Sequence, residues 1–170
     1  MRAHDGGEDV LRDALQSGTG AFDLASARYQ ARVRDLADAL VATGASADQL
    51  SEAVSGSGAP LDTRVAVMLA TSRRGIERSQ WSGRLGVVFA MWGEQLRLRP
   101  PLPDNPTGED ALHVKLDQLE WLFRGTDIDW RVYPVDDGDP DDSASVAEER
   151  ADQHPEGWRV SVLRLDEAIP

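Results

Sequence analysis

A chain of 170 residues with 41% apolar content can bury one ordinary core or two small ones, which excludes wholesale disorder. Its formal net charge of -12 argues against general nucleic-acid binding, because phosphate contacts need a basic surface. The absence of cysteine excludes disulfides, thiolate catalysis and cysteine-based zinc sites, and fits a reducing, cytoplasmic setting.

No apolar run reaches the roughly 20 residues needed to span a bilayer. The N-terminal MRAHDGGEDV lacks the apolar centre of a signal peptide. A single lysine, Lys115, among 18 basic residues suggests a GC-rich bacterial genome. Charge is uneven. Residues 127–170 hold 13 acids against 4 arginines, whereas residues 73–99 hold 6 arginines against 2 acids.

The first 80 residues read as a helical segment. Phe22, Ala25, Tyr29, Val33, Leu36 and Leu40 recur at spacings of three and four, which predicts one helical stripe ending at Gly44. Ser46 with Gln49 three residues on has the form of a capping box opening a short helix. SGSGAP at 55–60 breaks the chain. Pro60 suits the first turn of a further helix with Leu61, Val65, Met68 or Leu69, and Ser72 along one face. The stripe is under three heptads long, so a helical hairpin is favoured over a coiled coil.

From residue 84 the pattern changes. Leu85–Met91 is a continuous apolar run, the pattern of a strand buried on both faces. Residues 96–108 carry four prolines and predict a loop. Thr107 then reads as an N-cap with Glu109 and Asp110 in the first turn of a helix, where Leu112, Leu116, Leu119 and Leu122 or Phe123 form a stripe. Asp129–Val135 predicts a second strand, in which Pro134 is awkward because it cannot donate a ladder hydrogen bond. An acidic turn, residues 136–142, leads into a helix over 143–154 with Ala144, Ala147 and Ala151 inward. Residues 158–165, WRVSVLRL, predict a third strand. Strand, helix, strand, helix, strand is the signature of an α/β unit with a parallel sheet, preceded here by the helical segment 1–80. Ligands meet such sheets at the carboxyl ends of the strands, near Met91–Glu94 and Asp136–Gly138.

Those two strand ends carry a resemblance. LGVVFAMWGE at 85–94 and VDDGDPDDSASVAEERADQHP at 135–155 are similar to the opening of family 2 glycosyltransferases of GT-A type. In that family an apolar strand runs into an aromatic residue, and a second strand ends in Val-Asp-Asp-Gly-Ser. The resemblance covers residues 84–165 and implies the nucleotide-binding half of a Rossmann-like GT-A fold within residues 81–170. It implies a nucleotide-sugar as partner and sugar transfer as the activity of a complete enzyme, with Mg²⁺ or Mn²⁺. By position, Asp137 matches the aspartate that contacts the base, Trp92 the aromatic after the first strand, and Ala90 a position whose backbone lines the pocket. Asp136 and Gly138 shape the turn, and Glu94 is an accessory candidate. The chemistry suits these roles: a carboxylate accepts from the ring N–H of a base, and an aromatic ring stacks on it.

Departures are Gly93 in place of asparagine and Asp139 in place of serine. The family's Asp-X-Asp metal motif and acceptor-side base have no match, so no catalytic or metal residues are assigned, and weak nucleotide binding without transfer is expected. The alternative is a non-catalytic interaction or assembly module built on the same half fold. The N-terminal helices or the third-strand edge would then support self-association.

Other motifs do not hold. Asp137, Asp139, Asp141 and Glu148 fall at EF-hand spacing, but Asp142 stands where that loop needs glycine. His4, His113 and His154 have no partners at metal-ligand spacing. No P-loop, G-X-G-X-X-G or nucleophile elbow is present.

Overall fold

The structure is a computed structural model describing residues 9–13, 23, 26–55, 58–138 and 140–165. Phe22, Ala25, His4 and Asp139 lie outside these residues. The chain divides into two compact units, residues 1–80 and 81–170. No helix among the described residues is long and apolar enough to cross a membrane.

The first unit is helical: α1 (residues 9–13), α2 (Ala27–Ala42), α3 (Ala47–Val54) and α4 (Leu61–Ser79). The capping box at Ser46 forms in full. Its hydroxyl accepts from the Gln49 N–H at 3.2 Å, and the Gln49 side chain accepts from the Ser46 N–H at 2.9 Å. Gly44 follows α2 with φ of 75°. Val33 and Leu40 are buried on α2 as expected, together with Ala37.

The inner face of α4 differs from the expectation. Met68 is 68% exposed and Leu61 48%, while Asp62, Thr63, Ala66, Val67 and Ala70 are buried. Small residues let α2 and α4 approach closely. Asp62 is drawn inward by Arg32 of α2 at 3.4 Å, and its Oδ1 also accepts from the Thr63 N–H at 2.9 Å.

The second unit is mixed α/β. Its elements are β1 (Gly83–Met91), α5 (Gln95–Leu98), α6 (Ala111–Phe123), β2 (Ile128–Asp136), α7 (Ser143–Asp152), a 3₁₀ turn (Gly157–Arg159) and β3 (Leu163–Arg164). The sheet is parallel, ordered β1-β2-β3. β1 and β2 pair without a break from Gly83↔Ile128 to Met91↔Asp136. The stripe Leu112, Leu116, Leu119 and Phe123 is buried on α6, and Ala144, Ala147 and Ala151 on α7.

Four local expectations are corrected. First, β1 is an edge strand and is not buried on both faces. Leu85, Val87, Phe89 and Met91 share a face with buried Ile128, Trp130, Val132 and Pro134 of β2. Arg84, Gly86, Val88 and Ala90 lie on the other face and are exposed, Val88 by 64%. The apolar run therefore has only one covered side. Second, residues 95–98, at the start of the proline-rich stretch, form α5. The buried Asn105 amide anchors the loop after it, donating to the Leu96 carbonyl at 2.8 Å and the Pro100 carbonyl at 3.2 Å.

Third, α6 begins at Ala111, capped by Asp110 at φ of 49° and not by Thr107. The Asp110 carboxylate makes no cap hydrogen bond because it is held by Arg150 of α7 at 2.7 Å. Fourth, the third strand shrinks to Leu163–Arg164, preceded by a single parallel bridge, Val132↔Val160. Gly157 sits so close to α7 that a Cβ there would lie 1.7 Å from the Ala151 carbonyl oxygen. The chain turns as a 3₁₀ helix at that point, and Arg159 locks it. Its guanidinium stacks on Trp130 at 4.4 Å and Trp158 at 4.2 Å and donates to the Trp130 carbonyl at 3.1 Å. A two-residue β3 offers little backbone for edge pairing, so the third-strand edge expected to support self-association is short.

The asymmetry of the sheet has a direct test. Leu116→Ala, at a fully buried α6 position, is expected to destabilise the second unit by about 2–5 kcal/mol in urea unfolding. Val88→Ala should cost well under about 1 kcal/mol if its face is open as described.

Candidate functional site

The unbroken ladder fixes the site. Because Met91 and Asp136 are register partners, Trp92 and Asp137 each follow the last paired residue of neighbouring strands, which lie about 4.8 Å apart within the ladder. Both side chains are exposed, Trp92 by 66%. Of the residues singled out from sequence, Trp92, Asp136, Asp137 and Gly138 are thus gathered at one end of the sheet.

Asp136 is buried, and its Oδ1 accepts from the Gly138 N–H at 3.1 Å, closing an Asx turn. Gly138 adopts φ of 97°, a region open to glycine. Asp136 therefore spends its side chain on the turn and leaves Asp137 at the tip. Opposite, Gly93 also has a left-handed φ, 66°, and a Cβ there would stand 3.7 Å from an Asp141 carboxylate oxygen.

Ser143, which sequence reasoning passed over, ties the two strand ends together. It is wholly buried at the start of α7, and its hydroxyl accepts from the Glu94 N–H at 2.9 Å. The signal was present: a small hydroxyl residue ends the acidic turn and opens a helix.

Glu94 is engaged. Its carboxylate meets Arg97 at 3.0 Å, and Arg97 reaches Glu109 at 2.9 Å. Hydrogen bonding to Glu109, with the charge of Glu94 beside it, raises the Arg97 pKa above its ordinary value. Ala90, matched as a pocket-lining position, lies on the open face of β1 next to Val135 of β2.

Compared with known proteins, the chain matches no family model, no curated protein and no solved structure.

Among the described residues no group of three or more His, Asp or Glu side chains could hold a metal ion. His113 and His154, scattered in sequence, come together with ring centroids 4.9 Å apart. Each is occupied in packing. His113 faces the Arg150 carbonyl at 2.7 Å and an Arg150 guanidinium nitrogen at 2.9 Å. His154 Nδ1 accepts from the Glu156 N–H at 3.1 Å, while its Nε2 faces Asp117 at 3.3 Å. These contacts call for the Nε2–H tautomer in both rings, and they join α6 to α7.

β3 is fastened to α7 by Arg164, whose guanidinium grips both Glu148 oxygens, one at 2.9 Å. The hydrogen bond from Arg164 holds the Glu148 carboxyl below its ordinary 4.5, outweighing the opposing effect of burial. A depressed carboxylate contributes stability above its unfolded pKa and loses it as pH falls through the lower folded value. Melting temperature followed from pH 6 down to about pH 3 should therefore fall more steeply for the parent chain than for Glu148→Gln. Identical slopes would show that the pair contributes nothing in solution.

Proposed function

We infer that the second unit binds the base of a nucleoside diphosphate-sugar at the paired ends of β1 and β2, as the donor half of a GT-A glycosyltransferase of family 2. The observation that carries the reading is the Met91↔Asp136 register, after which one strand continues into an exposed indole and its neighbour into an exposed carboxylate. Trp92 offers a stacking face, an interaction of about 1–3 kcal/mol per base in comparable sites. Asp137 offers an acceptor for a ring N–H such as that of uracil. The buried Asp136 and the Ser143–Glu94 link hold the two strand ends before any ligand arrives, which lowers the ordering cost of binding.

The surroundings are acidic, with Asp141 and Asp142 at the end of the turn, so the site favours the base end of the donor over its diphosphate. In the complete enzyme that the resemblance implies, Mg²⁺ or Mn²⁺ would neutralise the diphosphate. In this chain the residues act on the base alone: stacking, accepting one hydrogen bond and fixing orientation.

Calorimetric titration with the diphosphates of uridine, guanosine and thymidine, with and without Mn²⁺, tests the reading. One nucleotide should bind, and Asp137→Ala and Trp92→Ala should each weaken it about tenfold or more. A folded sample that binds none of the three overturns it.

A further inference from the structure

One side of the β1 backbone pairs with no other strand among the described residues. In a strand, the N–H and C=O of one residue point the same way and those of the next point oppositely. The Gly83 N–H donates to the Asp127 carbonyl at 3.3 Å, so the odd-numbered residues of β1 face β2. At the far side of β2, the Ser161 N–H donates to the Val132 carbonyl at 2.9 Å, which gives the same parity. Arg84, Gly86, Val88 and Ala90 therefore direct their N–H and C=O groups away from the sheet. No strand among the described residues pairs with that edge.

The edge lacks the usual protections. It runs nine residues, keeps continuous register with β2, and has no proline, lysine or bulge. Residues 82–93 contain no acid, although the chain carries a net charge of -12. The repulsion that the rest of the surface would exert on a second copy is thus absent where contact would occur.

We propose that β1 is a self-pairing edge: two copies of this chain join antiparallel through β1, about a two-fold axis at Val87, making one six-stranded sheet. The parity supports this register. Arg84 would face Ala90 of the other copy and Gly86 would face Val88, and all four are residues whose groups point outward. These are the hydrogen-bonded pairs of an antiparallel ladder, about eight bonds in all. Val87 faces Val87 and Leu85 faces Phe89 as the non-hydrogen-bonded pairs, with their side chains on the covered face of both sheets. The single charge, Arg84, stands opposite alanine and about 20 Å from its symmetry mate, so no like charges oppose. This inference is independent of nucleotide binding.

Sedimentation of the full 170-residue chain across the micromolar range tests it. A monomer–dimer equilibrium is expected. Val88→Pro removes an N–H that faces away from β2, so the circular dichroism of the chain should be unchanged while dimer affinity falls about tenfold or more. Val88→Lys and Val88→Glu would each stand beside Gly86 of the other copy and diagonal to their own symmetry mate, so each alone should dimerise more weakly than the parent and the mixture more strongly than either alone. A parent chain that stays monomeric throughout overturns the proposal, as does a folded Val88→Pro that dimerises like the parent. In either case the edge is left to solvent or to a strand from another polypeptide.

Discussion

The second unit depends on one interaction, the nine-residue parallel ladder between β1 and β2. A side-chain period of two means that a slip of one residue would turn Leu85, Val87, Phe89 and Met91 outward and would part Trp92 from Asp137. The register is therefore fixed by burial: Trp130, Val132 and Pro134 on β2 need the odd residues of β1 beside them on the covered face. The same constraint that forms the core also positions the candidate site.

The far side of β2 is held differently. Pro134 is buried in the central strand, and by parity its nitrogen faces β3, where the ladder is already broken between the Val132↔Val160 bridge and the Val135↔Leu163 pair. Proline is tolerated because no donor is missed there. In place of a full ladder, Arg159 stacked between two indoles and Arg164 on Glu148 fasten the third segment. Side chains supply what the backbone does not.

The elements with strong periodicity were legible in the sequence. The α6 leucine stripe, the alanine face of α7, the Ser46 capping box and two of the three strands follow from local pattern. Burial of whole faces was not legible. Leu85–Met91 reads the same whether one side or two are covered, since hydropathy does not reveal how many neighbours a strand has. Trp158–Leu165 alternates like a strand, but the close approach of Gly157 to Ala151 and the Arg159 stack are tertiary and override it. At the site, the acidic turn and Trp92 could be picked out from residue type. Ser143 and the engagement of Glu94 by Arg97 depend on which segments meet, and spacing alone does not show that.

Residue-resolved amide hydrogen exchange is the most direct test of the ladder. The amides of Leu85, Val87 and Phe89, which point to β2, should exchange slowly at every protein concentration, together with those of Arg131, Tyr133 and Val135. Rapid exchange at Leu85, Val87 and Phe89 in a folded sample, or protection confined to Arg84, Gly86 and Val88, would mean a different register. It would remove the basis for pairing Trp92 with Asp137.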